Sequence, residues 1–144
     1  MKIDSPFTFR IELVIRWKEL DALNHVNNAQ YFSYFEEARI QYFNHLKIDT
    51  ISSKENEGPI LAHVSCDFQS PILYPDTLSV GTGVSRIGRS SINLDHDIFS
   101  HQQNKIVATA RSVVVMLDYQ SGKSIAINDE MRQRIEGLNP GLKH

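Results

Sequence analysis

Residues 16–39 read "RWKELDALNHVNNAQYFSYFEEAR", and within them the hydrophobic period of the chain changes. Upstream, Phe7, Phe9, Ile11, Leu13 and Ile15 alternate with Thr8, Arg10, Glu12 and Arg16, the pattern of a half-buried strand. Downstream the spacing becomes three and four. Tyr31, Phe35, Ala38 and Tyr42, joined by Phe32, Phe43 and Leu46, mark a helix over about 28–46. Its apolar stripe is wide and aromatic, so other elements should cover most of it. Between the two periods stand Asp21, Asn24, His25, Asn27 and Asn28, far more polar capacity than an ordinary turn requires.

After the helix, Gly58 and Pro59 punctuate and alternation returns. Ile60, Ala62, Val64, Cys66 and Phe68 are expected on one face, with His63, Ser65, Asp67 and Gln69 on the other. Pro71 and Pro75 enclose a turn. Leu78, Val80, Thr82 and Val84 form another run, ended near Gly88, and Ile92, Leu94, His96 and Ile98 a further one. The last strand, roughly 105–117, contains Val113, Val114 and Val115 in succession, which predicts a central position buried on both faces. Asn128 can cap a terminal helix over 129–136, with acidic residues in its first turn. One strand, one long helix and four strands with short links give an α+β domain, an antiparallel sheet against one helix.

The totals restrict what this domain can be. Its 144 residues fit a single domain, 1–144, able to bury a core without staples. A formal net charge of −2 argues against a broad nucleic-acid surface. The lone cysteine, Cys66, excludes an intramolecular disulfide and a cysteine-based zinc site. No apolar run is long enough to span a bilayer, and the N-terminus lacks a signal-peptide core, so the expected home is the cytoplasm.

The polar cluster has two readings. Asp and Asn before a helix commonly serve as caps and turn formers, and Asn24 suits a left-handed turn. Alternatively, Asp21 lies beside a helix start whose first N–H groups lack intrahelical partners and carry partial positive charge. A carboxylate that handles water, next to amides that receive an oxyanion, suits hydrolysis of an activated acyl group. His25 either orients Asp21 or a substrate, or is a plain turn residue.

Other chemistry finds less support. His45, His63, His96 and His101 sit on separate elements, without metal-ligand spacing. His96 stands between Asp95 and Asp97, but alternation sends it to the opposite face, so the trio reads as structural or solvent-facing. Cys66 is on an apolar face, and neither a G-x-S-x-G elbow nor a phosphate-binding glycine pattern occurs. On the long helix, one of Glu36 and Glu37 is expected to be buried and paired with Arg39 or Arg16; Glu36 is the better candidate to face a substrate. The turn at 86–91 carries Arg86, Arg89, Ser90 and Ser91, which match phosphate oxygens or simply form a solvated hairpin.

The segment 16–39 resembles the signature of hot-dog-fold acyl-CoA thioesterases of the hydroxybenzoyl-CoA type. "GPILAHVSCDFQSPILYPDTLSV", "RIGRSSINLDHDIF" and "IVATARSVVVMLDYQSGKSIAIND" resemble the successive strands of that family, so the likeness covers nearly the whole chain. It implies a hot-dog fold, a five-stranded antiparallel sheet wrapped around one long central helix. By position it implies Asp21 as nucleophile or general base and Asn28 as the backbone donor that polarises the thioester carbonyl. His25 and Asn27 would shape the substrate pocket, and Arg86, Arg89, Ser90 and Ser91 would contact substrate or CoA. The helix aromatics Tyr31, Phe35 and Tyr42 either line an apolar acyl or aroyl tunnel, with Tyr31 as a substrate contact, or are core, the default for any one of them. No metal or cofactor is implied beyond the CoA of the substrate. Homodimers or homotetramers with sites at the subunit interface are expected. Lys18 and Glu19 stand where the family usually has Gly-Asp, Asn24 where it has Gly, and Pro75 where the following turn has Gly. The alternatives are an acyl-carrier-protein thioesterase, against which Leu23 weighs, and a non-catalytic acyl-CoA-binding module.

Overall fold

The computed structural model describes residues 3–48, 56–142 and 144. Strand β1 (Phe9–Val14) leads through a 3-10 turn (Trp17–Glu19) to helix α1 (Asn28–His45). Four strands follow, β2 (Glu57–Phe68), β3 (Thr77–Ile87), β4 (Ser91–Ser100) and β5 (Lys105–Asp118), and then helix α2 (Asp129–Leu138). All strand pairs are antiparallel, in the order β1-β3-β4-β5-β2. This is the hot-dog arrangement, with α1 on the inner face of a five-stranded sheet.

The stripe read from the sequence is what α1 buries. Tyr31, Tyr34, Phe35 and Ala38 pack with Ile11, Leu78, Val80 and Ile98, while Tyr42 and Phe43 pack with Ile87, Ile92, Leu94 and Val114. Helix α2, capped by the Asn128 side chain accepting from the Met131 N–H at 2.8 Å, inserts Met131 and Ile135 into the second cluster. None of the described helices is long and apolar enough to cross a membrane.

Four expectations about the strands change. β5 lies next to the edge, and β4 holds the centre. Within the valine run, Val114 is buried but Val113 and Val115 are only partly so, the alternation of a strand with one core face. Strand β2 starts before its Gly58-Pro59 pair, because an edge strand tolerates proline. A register shift between Leu61 and His63 sets Leu61 opposite the buried Val114 and Ile60 opposite Val115. Pro59 and Leu61 therefore take the inner face before the bulge, and Val64, Cys66 and Phe68 take it after.

On α1, both Glu36 and Glu37 are exposed, and Arg39 is buried at 6% exposure with Nη1 unpaired. His96 is on the opposite face from its aspartates, as alternation requires, but is not solvent-facing. It is 1% exposed, hydrogen-bonded to Thr82 at 3.0 Å and Ser112 at 2.8 Å, and 5.3 Å from the Phe35 ring. Asp97 is buried too, ion-paired to Arg10 at 2.7 Å.

Candidate active site

The polar segment folds into a small closed loop. Leu20 and Val26 form an antiparallel bridge at its base, and Asp21 N–H donates to the His25 carbonyl at 2.7 Å. At the tip, Asn24 adopts φ 64° and its N–H reaches the Asp21 carbonyl at 3.0 Å. Asn is among the few residues that enter the left-handed region readily, so this position does what the sequence suggests. One carboxylate oxygen of Asp21, Oδ1, accepts from the Leu23 N–H at 2.9 Å and the His25 N–H at 3.2 Å. The turn therefore orients the carboxylate with one oxygen, and among the described residues no donor occupies Oδ2.

Asn27 is the N-cap of α1. Its side chain accepts from the Ala29 N–H at 2.9 Å, and its carbonyl from the Gln30 N–H at 2.8 Å. Asn28 is the first helical residue, so its N–H belongs to the group with no intrahelical acceptor. Asp21, His25, Asn28, Tyr31, Phe68 and Ser70 line one cleft of about 360 Å³. Tyr31 is 2% exposed and meets Phe68 edge-on, with centroids 4.8 Å apart. Burial pushes its hydroxyl pKa up, and Cys66 nearby adds to this against a backbone hydrogen bond from Ile72. Tyr31 is thus a neutral, rigid wall. Burial, then Asp67, pushes the Cys66 thiol up to about 11, leaving it a poor nucleophile at neutral pH.

Arg86, Arg89, Ser90 and Ser91 are not in that cleft. They lie at the β3–β4 turn, where Gly88 N–H donates to Ser91 O at 2.8 Å and the Arg89 and Ser90 carbonyls accept from Ile127 and Met116. The cleft of Asp21 borders the opposite end of the sheet. Through the register, Phe68 of that cleft stands level with Val80, six β3 residues before Arg86, a separation of roughly 20 Å along the strand at ~3.3 Å per residue. Arg86 shares a second cleft, of about 480 Å³, with His63, Asn93, Asp95 and Arg111. His63 and Arg111 carry no local motif; strand register alone aligns Arg86, Asn93, Val113 and His63 in one row.

Sequence reasoning also passed over Glu19, treated as a departure from a pattern. Its carboxylate accepts from the Arg16 N–H at 2.8 Å, from Gln30 Nε2 at 3.1 Å and from the Tyr34 hydroxyl at 3.1 Å. Among the described residues no group of three His, Cys, Asp or Glu is placed to hold a metal ion.

A carboxylate beside a helix start and an aromatic wall can support acyl hydrolysis, and comparison with known proteins points to the same chemistry. Residues 15–135 match the thioesterase-like superfamily. The long-chain acyl-CoA thioesterase FadM of Escherichia coli (strain K12) is 24% identical over 127 residues, covering 88% of this chain and 96% of FadM. A thioesterase from Thermus thermophilus, solved with coenzyme A and Zn, is 32% identical with a TM-score of 0.79, covering 92% of this chain and 94% of that one. A 1,4-dihydroxy-2-naphthoyl-CoA thioesterase from Synechocystis shares the fold at 20% identity and a TM-score of 0.80, covering 90% and 96% of the two chains.

Proposed function

The chain belongs to the thioesterase-like superfamily and is a thioester hydrolase, and on that premise we propose that it cleaves acyl-CoA to a carboxylate and free CoA in the cytoplasm. Asp21 acts as nucleophile or general base, and the Asn28 N–H receives the developing oxyanion. Water is the final acceptor, and no metal or further cofactor takes part. The observation that carries this reading is the shared cleft of Asp21, Asn28 and Tyr31, in which one Asp21 oxygen is held by two backbone amides. General-base help contributes on the order of 10²–10⁴-fold and one oxyanion donor roughly 10²–10³-fold, enough for an activated ester and too little for an amide. FadM, a long-chain acyl-CoA thioesterase by name, supports a CoA carrier.

The working unit is a dimer. β2 is an edge strand of 12 residues with Ile60, Leu61 and Phe68 exposed, a template for pairing with a second copy. β2 begins at the hairpin end of the sheet and finishes at Phe68, beside Asp21. A two-fold pairing of β2 with its symmetry mate reverses these ends. The hairpin carrying Arg86 and Arg89 on one subunit then approaches the Asp21 end of the other, where two cations suit the phosphates of CoA. Thiol release from a panel of acyl-CoAs tests the proposal: hydrolysis of at least one is expected, and an inert panel refutes it.

A further inference from the structure

Glu19 ties together the two elements from which that site is built. Its backbone N–H donates to the Arg16 carbonyl at 2.9 Å, and its carbonyl accepts from the Asn27 N–H at 3.0 Å. This closes the base of the loop that holds Asp21. Its carboxylate reaches further, with Oε1 accepting from the Arg16 N–H and the Tyr34 hydroxyl, and Oε2 from Gln30 Nε2. Gln30 and Tyr34 lie in the first two turns of α1, the helix whose start provides the oxyanion donor in the reading above. Glu19 is half-buried, and hydrogen bonds to a carboxylate acceptor are stronger than neutral ones. Tyr34 is 5% exposed; burial first, then the Glu19 carboxylate, raises its pKa, so it stays a donor.

We propose that Glu19 is a positioning residue, a carboxylate clamp that fixes the Asp21 loop against the first turns of α1. The inference rests on the thioesterase reading of the site. Asp21 and Asn28 come from opposite sides of the loop base, so their separation depends on how rigidly the loop meets the helix. A misplacement of about 1 Å can cost on the order of 10²-fold in rate. Arg16 anchors the near side through its backbone, so the clamp needs the length of Glu and its two oxygens.

The test uses the full chain and the acyl-CoA it hydrolyses fastest. Glu19→Ala is expected to lower kcat about 10- to 100-fold with KM within about threefold. Glu19→Gln keeps an oxygen for Arg16 and Tyr34 and is expected to restore kcat to within about fivefold of wild type. In an Asp21→Asn background, Glu19→Ala should cause no further loss, because Glu19 acts through Asp21. Amide exchange at Leu23 and His25, the donors to Asp21, should quicken in Glu19→Ala and stay near wild type in Glu19→Gln. Should the alanine variant fail to fold, Tyr34→Phe removes one strut alone and is expected to lower kcat severalfold at unchanged KM.

A folded Glu19→Ala with wild-type kcat and unchanged exchange overturns the clamp, as does an equal loss in Glu19→Gln and Glu19→Ala. In place of the alanine variant, an unchanged kcat in Tyr34→Phe does the same. If Asp21→Asn keeps full activity, the reading of the site itself falls. If Asp21→Asn is inactive while Glu19→Ala is intact, only the clamp falls. If wild type hydrolyses nothing, the site reading falls and the exchange measurement still decides the clamp.

Discussion

Lowering the pH from 7 to 4.5 should expose the cost of burying His96. The imidazole is 1% exposed and uses both ring nitrogens on the hydroxyls of Thr82 and Ser112. Desolvation, with Arg39 adding repulsion, depresses its pKa to about 3. The unfolded chain, with a histidine pKa of about 6.5, binds a proton in this window that the folded chain refuses. Stability therefore rises with pH between about 3 and 6.5, and the His96 contribution is lost as pH falls through that range. From pH 7 to 4.5 the loss is about 2 to 3 kcal/mol, close to two pH units at ~1.4 kcal/mol each. Urea unfolding of wild type and His96→Gln at both pH values isolates it, since the other five histidines are common to both chains. The variant should be less stable at pH 7, having lost buried hydrogen bonds, yet fall by about 2 to 3 kcal/mol less on acidification. Parallel losses in the two proteins would refute the assignment of a buried neutral His96.

Two further outcomes follow from the proposed dimeric arrangement of the site. Arg86→Ala and Arg89→Ala should raise KM for an acyl-CoA severalfold with little change in kcat. The same variants should leave hydrolysis of a short acyl thioester without the nucleotide unaffected; an equal effect on both substrates would remove the hairpin from CoA binding. Leu61→Arg on the exposed inner face of β2 should shift the chain toward monomer by light scattering and reduce acyl-CoA hydrolysis in proportion. A fully active monomer would contradict a site shared between subunits.

Local features were legible in the chain; long-range ones were not. The helix stripe, the Asn128 cap and the left-handed turn at Asn24 each depend on neighbours a few residues away, and each forms as the sequence suggests. The Asp21 loop was likewise visible as a polar run. Its anchoring through Glu19 was hidden, because Tyr34 and Gln30 are 15 and 11 residues distant and join it only once the loop closes. The β2 bulge reversed the expected face of Ile60 because alternation carries no mark for one extra residue. The apolar run in β5 suggested a central strand, whereas its rank is set by the β1-β3-β4-β5-β2 order. The expectation of a buried glutamate paired with Arg39 or Arg16 shows the same limit: Glu36 and Glu37 are exposed and Arg39 is the buried member, since a helix face is known before its cover is. The hairpin of Arg86 was legible as a turn, and only the topology places it far from Asp21 in one chain.

Catalysis by Asp21 at the start of α1 is the central claim, and the kcat of Asp21→Asn against wild type tests it most directly. Asparagine keeps an oxygen for the Leu23 and His25 amides, so loop, fold and substrate binding should survive. With a melting temperature near wild type and a similar KM, kcat should fall about 10²–10⁴-fold. A folded Asp21→Asn protein within threefold of wild-type kcat would contradict the account.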